Sequence, residues 1–137
     1  MGRVHFSFSP GTQLQITAGG NVVDNGDTAT GPAGDPGESW DFRALPVYAL
    51  IGIWSSDPSL DSSDDPVGDP FLIGSGGLFE VPWAGNPLYL VLAENDGIFW
   101  DNSGDYAVTL TAVPLPSTLL LLGGTLPLLW LRGKKGK

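Results

Sequence analysis

Glycine and proline interrupt this chain so often that a long helix has nowhere to form. Together they approach a quarter of its 137 residues, 20 glycines and 12 prolines, and both residue types end helices and open turns. The segments left between them carry the two-residue period of strands. Residues 4–8 and 13–18 alternate apolar and polar side chains, and 47–54 is almost continuously apolar, as a central strand would be. Residues 71–73, 78–81, 88–93 and 106–112 complete seven strand candidates, while 21–40 and 55–70 read as loops. The Ser9-Pro10-Gly11-Thr12 turn is expected to join the first two strands as a hairpin. Five tryptophans, six phenylalanines and three tyrosines supply the large apolar side chains that a core needs. The expectation is an all-β fold, a small antiparallel β-sandwich over residues 1–112.

Charge and missing residue types narrow the chemistry. Cysteine is absent and His5 is the sole histidine, so neither thiolate nor paired-imidazole zinc sites can be built, nor a Cys-His catalytic pair. All fifteen acids lie at or before Asp105, and residues 1–113 hold two bases against them, a formal charge of −13. Such a body repels phosphate backbones, which argues against nucleic-acid partners. No Gly-x-Ser-x-Gly elbow or phosphate loop occurs, and no pattern pairs two carboxylates as glycosidases require. The chain is expected not to be an enzyme.

Clustered carboxylates do suit hard cations. Glu94-Asn95-Asp96-Gly97-Ile98-Phe99-Trp100-Asp101-Asn102 packs three carboxylates and two amides into nine positions between two strand candidates. Ca²⁺ takes six to eight oxygen ligands, carbonyls included, and this loop can offer several. The EF-hand spacing is absent, and a solvated turn using Asx hydrogen bonds stands beside the calcium reading. A second loop, 57–69, holds five aspartates, but its serines and prolines read better as a flexible surface loop.

The last 25 residues differ from everything before them. Val113-Pro114-Leu115-Pro116-Ser117 leads into an apolar run that opens at Leu119 and closes at Leu131, followed by Arg132, Lys134, Lys135 and Lys137. Thirteen residues make about 20 Å of helix, short of the roughly 30 Å hydrocarbon core of a bilayer. The basic end would stay cytoplasmic and leave the acidic body outside. This order of parts resembles the PEP-CTERM sorting signal of Gram-negative bacteria, with Leu115 where that family usually has Glu. The resemblance implies residues 113–137 as a sorting tail with a short hydrophobic helix that sits transiently in the inner membrane. It also implies recognition by an exosortase and release to the cell envelope or the extracellular polymer. A buried C-terminal hairpin and an uncleaved tail anchor are the alternatives. Residues 1–10 show no signal peptide, which is expected to reflect a truncated, misassigned or engineered start.

The body carries a second resemblance. Phe8-Ser9-Pro10-Gly11, the strand running to Ala18-Gly19, Gly31-Pro32-Ala33-Gly34-Asp35, Ala49-Leu50-Ile51, Gly77-Leu78-Phe79 and Asp101-Asn102-Ser103-Gly104 follow the order found in the PA-IL-like calcium-dependent galactophilic lectins. That resemblance implies a jelly-roll, galactose-binding-like sandwich. It implies a calcium ion held by the carbonyls of Asp24 and Ile98 and by the side chains of Asp96, Asp101 and Asn102, with Glu94 as a rival for the place of Asp96. The His and Gln with which those lectins bind sugar hydroxyls have no counterpart in the stretch from Pro36 to Arg43. Trp40, Arg43 and Trp100 are the sugar-binding candidates instead, since aromatic faces stack on sugar rings and Arg donates to hydroxyls. Two functions follow as expectations: a calcium-dependent lectin-like surface module binding an extracellular polysaccharide or glycan, or a structural envelope protein whose calcium only ties loops together.

Overall fold

The computed structural model describes residues 6–24, 28–38, 42–58, 66–98 and 100–114. The chain is all-β: β1 (Phe6–Phe8), β2 (Gln13–Asp24), β3 (Asp35–Glu38), β4 (Pro46–Val47), β5 (Leu50–Ser55), β6 (Phe71–Leu72), β7 (Gly76–Glu80), β8 (Leu88–Glu94) and β9 (Asn102–Val113). These form a four-stranded sheet in the order β1-β8-β5-β6, a three-stranded sheet β7-β2-β9 and the small pair β3-β4, with every pairing antiparallel. Among the described residues there is no helix, hence none long and apolar enough to cross a membrane. The expected C-terminal helix and most of the sorting tail lie outside the described residues, as do His5 and Trp40.

The two larger sheets share one core. Leu14 and Ile16 of β2 meet Leu50 and Trp54 of β5 and Leu88 and Leu90 of β8, with Ile73 and Val81 closing the gaps. The alternation in 13–18 explains its half: Leu14 and Ile16 are fully buried while Gln13, Gln15 and Thr17 point away from the core. Each fully buried Leu or Ile contributes about 1.5–3 kcal/mol. In β5 both faces are buried, as its unbroken apolar run predicts. An aromatic row lines one edge of the core. Phe8 meets Trp54 edge-on at 6.4 Å, Trp54 stacks on Phe71 at 5.8 Å, and Phe71 tilts onto Phe79 at 5.4 Å. Gly52 makes room for it, since an added Cβ would stand 2.4 Å from the Phe71 ring.

Three expectations need correcting. Ser9 to Thr12 is a turn, closed by Thr12 N–H donating to Ser9 at 3.2 Å, but it does not make a hairpin. β1 pairs with β8 and β2 with β7 and β9, so the turn carries the chain from one sheet to the other. A hairpin would leave Phe8 in the wrong sheet, away from Trp54. Second, β2 does not stop at Ala18. It continues to Asp24 and pairs with β9 in register from Gln13↔Val113 to Asp24↔Asn102. The glycines that looked like a break sit inside an unbroken ladder. Gly20 and Gly104 have φ of 98° and 89°, and a Cβ on either would strike a carbonyl oxygen of the facing strand at 2.4 and 2.3 Å. Third, residues 21–40 are not all loop, because they contain the end of β2 and β3.

Candidate metal centre

The ends of β2, β8 and β9 bring Asp24, Glu94, Asp96 and Asn102 near one another. Asp24 closes β2 directly opposite Asn102, which opens β9. Glu94 closes β8, and Asp96 follows it in a tight turn in which Asp96 N–H donates to Glu94 at 3.1 Å. Asn102 Nδ2 donates to Asp96 Oδ2 at 2.7 Å, so that amide is oriented with its oxygen available. Asp24 enters by its carboxylate, which accepts a hydrogen bond from the Tyr48 hydroxyl. Glu94 and Asp96 both belong to this group, so the two need not be rivals.

Two observations define its chemistry. Glu94 Oε1, Asp101 Oδ1 and Asn102 Oδ1 are each buried without a hydrogen-bond partner. Buried polar atoms almost always have partners, because leaving one bare costs about 1–3 kcal/mol. The Glu94 carboxyl is also held above its ordinary value, chiefly by burial, against a lowering hydrogen bond from Asn102, with the nearby charges of Asp96 and Asp24 adding to the rise. Oxygen acceptors, negative charge and the lack of a donor are what a hard cation would relieve. Among the described residues, no three or more His, Asp or Glu side chains stand as a ready-made ligand set. The donors available here are mixed, with the Asn102 amide oxygen beside the carboxylates.

The remaining candidates scatter. Ile98 sits exposed on the same loop, and Trp100, beside Asp101, is 87% exposed. Arg43 is exposed on the turn before β4. Trp40 and the tail from Leu115 onward lie outside the described residues, while Val113 and Pro114 mark the far end of β9.

Three residues that the sequence reading passed over hold this centre together. Asn95, between Glu94 and Asp96, is completely buried. Its Nδ2 lies 3.1, 3.1 and 2.9 Å from the carbonyls of Phe42, Leu45 and Pro46, and its Oδ1 accepts Phe42 N–H at 3.3 Å. The turn that carries Arg43 is thereby fastened to the strand end that carries Glu94. Tyr48 has φ of 60°, unusual for a side chain with a Cβ. Its N–H donates to Asn95 O at 2.9 Å, and its carbonyl accepts the Tyr106 hydroxyl at 2.7 Å. That pose aims the Tyr48 ring at Asp24. In sequence, the signal was a tyrosine interrupting the apolar run 47–54.

Scanned against protein-family models the chain matches none, and no curated protein matches it.

Proposed function

We propose that this chain is a calcium-dependent, lectin-like module of the bacterial cell envelope or extracellular matrix, delivered there by its C-terminal sorting tail. The single observation that carries the calcium assignment is the trio of buried, partnerless oxygens on Glu94, Asp101 and Asn102. Asp24, Glu94, Asp96, Asp101 and Asn102 would hold the ion, with the Ile98 carbonyl as a further donor. Calcium bound there would offer open coordination positions to vicinal hydroxyls of a glycan. The exposed Trp100 ring would offer a stacking face on the same loop, and Arg43 and Trp40 stay as the other sugar-binding candidates. The two sheets sharing one core fit the finer reading, a β-sandwich of the jelly-roll, galactose-binding-like kind. Residues 113–137 then act as a PEP-CTERM-type address, handed to an exosortase at the inner membrane and absent from the working protein.

A second reading shares the metal but not the sugar. Asp24, Glu94 and Asn102 close or open three different strands, so an ion between them would staple β2, β8 and β9 even with no glycan present. Scanning calorimetry in excess EDTA and in excess calcium tests the metal. At calcium a hundredfold above its dissociation constant the native state gains about 2.7 kcal/mol, or roughly 10 °C in melting temperature for a domain of this size. An unchanged melting temperature sinks the metal reading. Glycan-array binding in calcium separates the two readings, and a blank array leaves the structural one.

A further inference from the structure

The end of the domain opposite the metal centre holds an aromatic platform that the calcium loops do not touch. Trp83 is 80% exposed, yet its indole is fixed from two sides. Nε1–H donates to Glu80 Oε1 at 3.0 Å, while Glu80 Oε2 accepts Gln13 Nε2 at 2.7 Å. Gln13 and Glu80 are register partners across β2 and β7, so the carboxylate is itself anchored. The ring lies against Gly11, where an added Cβ would stand 2.3 Å from Cζ2. Gly11 is placed by its N–H donating to Val81 at 2.8 Å. One side of the indole therefore rests on bare backbone while the rest faces water. Along β2 this site is up to about 36 Å from Asp24, from eleven residue steps of roughly 3.3 Å.

The hydrogen bonding already in place selects the ligand. The indole N–H is committed to Glu80, so the platform offers a bare π face and carboxylate lone pairs but no free donor from the ring. An extended peptide needs donors for its carbonyls, and a Trp at a lipid interface uses its N–H toward the headgroup region. A neutral pyranose fits better, because its C–H face stacks on the ring and its hydroxyls donate to a carboxylate. Glu80 and the −13 charge of the body disfavour acidic glycans. We propose that Trp83, held by Glu80 and Gln13 over Gly11, is a second, calcium-independent carbohydrate-binding site for neutral glycan chains. This proposal stands on observations separate from those for the metal centre.

The test uses the full 137-residue chain with cellohexaose and maltohexaose, followed by tryptophan fluorescence in EDTA. Binding of either sugar that persists in EDTA, and weakens roughly tenfold or more in W83A, supports the site. W83A should leave the melting temperature unchanged, since the ring covers only the turn. E80A, which frees the indole, should weaken binding several-fold and shift the emission. The proposal is overturned if neither sugar binds up to about 10 mM, if W83A binds as tightly as the parent, or if binding disappears in EDTA. Trp83-dependent binding of decaproline or of phosphatidylcholine vesicles, with no response to the sugars, overturns it as well. None of these results alters the calcium-induced melting shift, so the two readings stand or fall apart.

Discussion

Replacing Asn95 by alanine should be the most damaging single change in the acidic loop, although Asn95 is no metal ligand. Its Nδ2 carries two hydrogens shared among three carbonyls, and its Oδ1 accepts one N–H. Alanine removes the equivalent of three hydrogen bonds, each worth about 1 kcal/mol net. The carbonyls are not equally affected. Phe42 O keeps Leu45 N–H at 2.9 Å and Pro46 O keeps Ala49 N–H at 3.3 Å, whereas Leu45 O loses its Asn95 partner with no such replacement among the described residues. Baring that group adds about 1–3 kcal/mol, for a total near 4–6 kcal/mol. Against a domain stability of about 5–15 kcal/mol this lowers the melting temperature by roughly 15–25 °C. N95D keeps the shape and the acceptor but turns carboxylate oxygens toward three carbonyls. It should be at least as damaging at pH 7 and partly recover near pH 4. Urea melts of both variants measure this, and trypsin offers a local readout, because Arg43 is the only base between Arg3 and Arg132. A loss under about 1 kcal/mol in N95A, or no faster cleavage at Arg43, would refute the clamp.

Three further outcomes follow from the same geometry. Burial holds Glu94 above its ordinary 4.5, so the native state keeps a proton that the unfolded chain releases, and without metal, stability falls as pH rises from 4.5 through the raised folded value. E94Q should flatten that fall in EDTA melts and shrink the calcium-induced shift, and an unchanged pH profile would count against the assignment. Tyr106 is pushed up to about 12, chiefly by burial and then by Glu94 and Asp35, so stability should fall between pH 10 and 12. Y106F should cost about 1–2 kcal/mol at pH 7, from the lost bond to Tyr48, with the deficit narrowing above pH 10 in denaturant melts. G52A should cost about 1–3 kcal/mol, because Phe71 is held between Trp54 and Phe79 and cannot yield; a neutral urea midpoint would show the aromatic row to be loose.

The parts of the fold legible in sequence were those set by local pattern. Alternation in 13–18 and 106–112 reports directly which side chains face a core, and the continuous run at 50–54 reports a strand covered on both sides. Partner choice is not local. Nothing in Ser9-Pro10-Gly11-Thr12 says whether the chain turns back on itself or crosses to another sheet, since that depends on where Trp54 waits for Phe8. Gly19 and Gly20 read as a strand end because glycine suits turns as readily as close backbone approaches inside a strand. In the acidic loop, residue types pointed to oxygen chemistry, and Glu94, Asp96 and Asn102 do gather. Asn95 sits among them with the same composition signal and a wholly different task. Only burial tells a ligand-type amide from a clamp. Tyr48 shows in sequence only as a hydroxyl-bearing ring within the apolar run 47–54, because its role rests on a backbone conformation.

The long β2–β9 ladder has a mechanical meaning. At one end stands Val113, and at the other Asn102 stands among the proposed calcium donors, joined by one extended strand. A pull applied between Val113 and a ligand at the metal centre would run lengthwise along β9. Whatever share entered through Asp24 would cross to β9 through hydrogen bonds loaded side by side in shear, all at once, instead of being opened one after another. The long ladder is therefore strung like a tie-rod between the two ends of the domain.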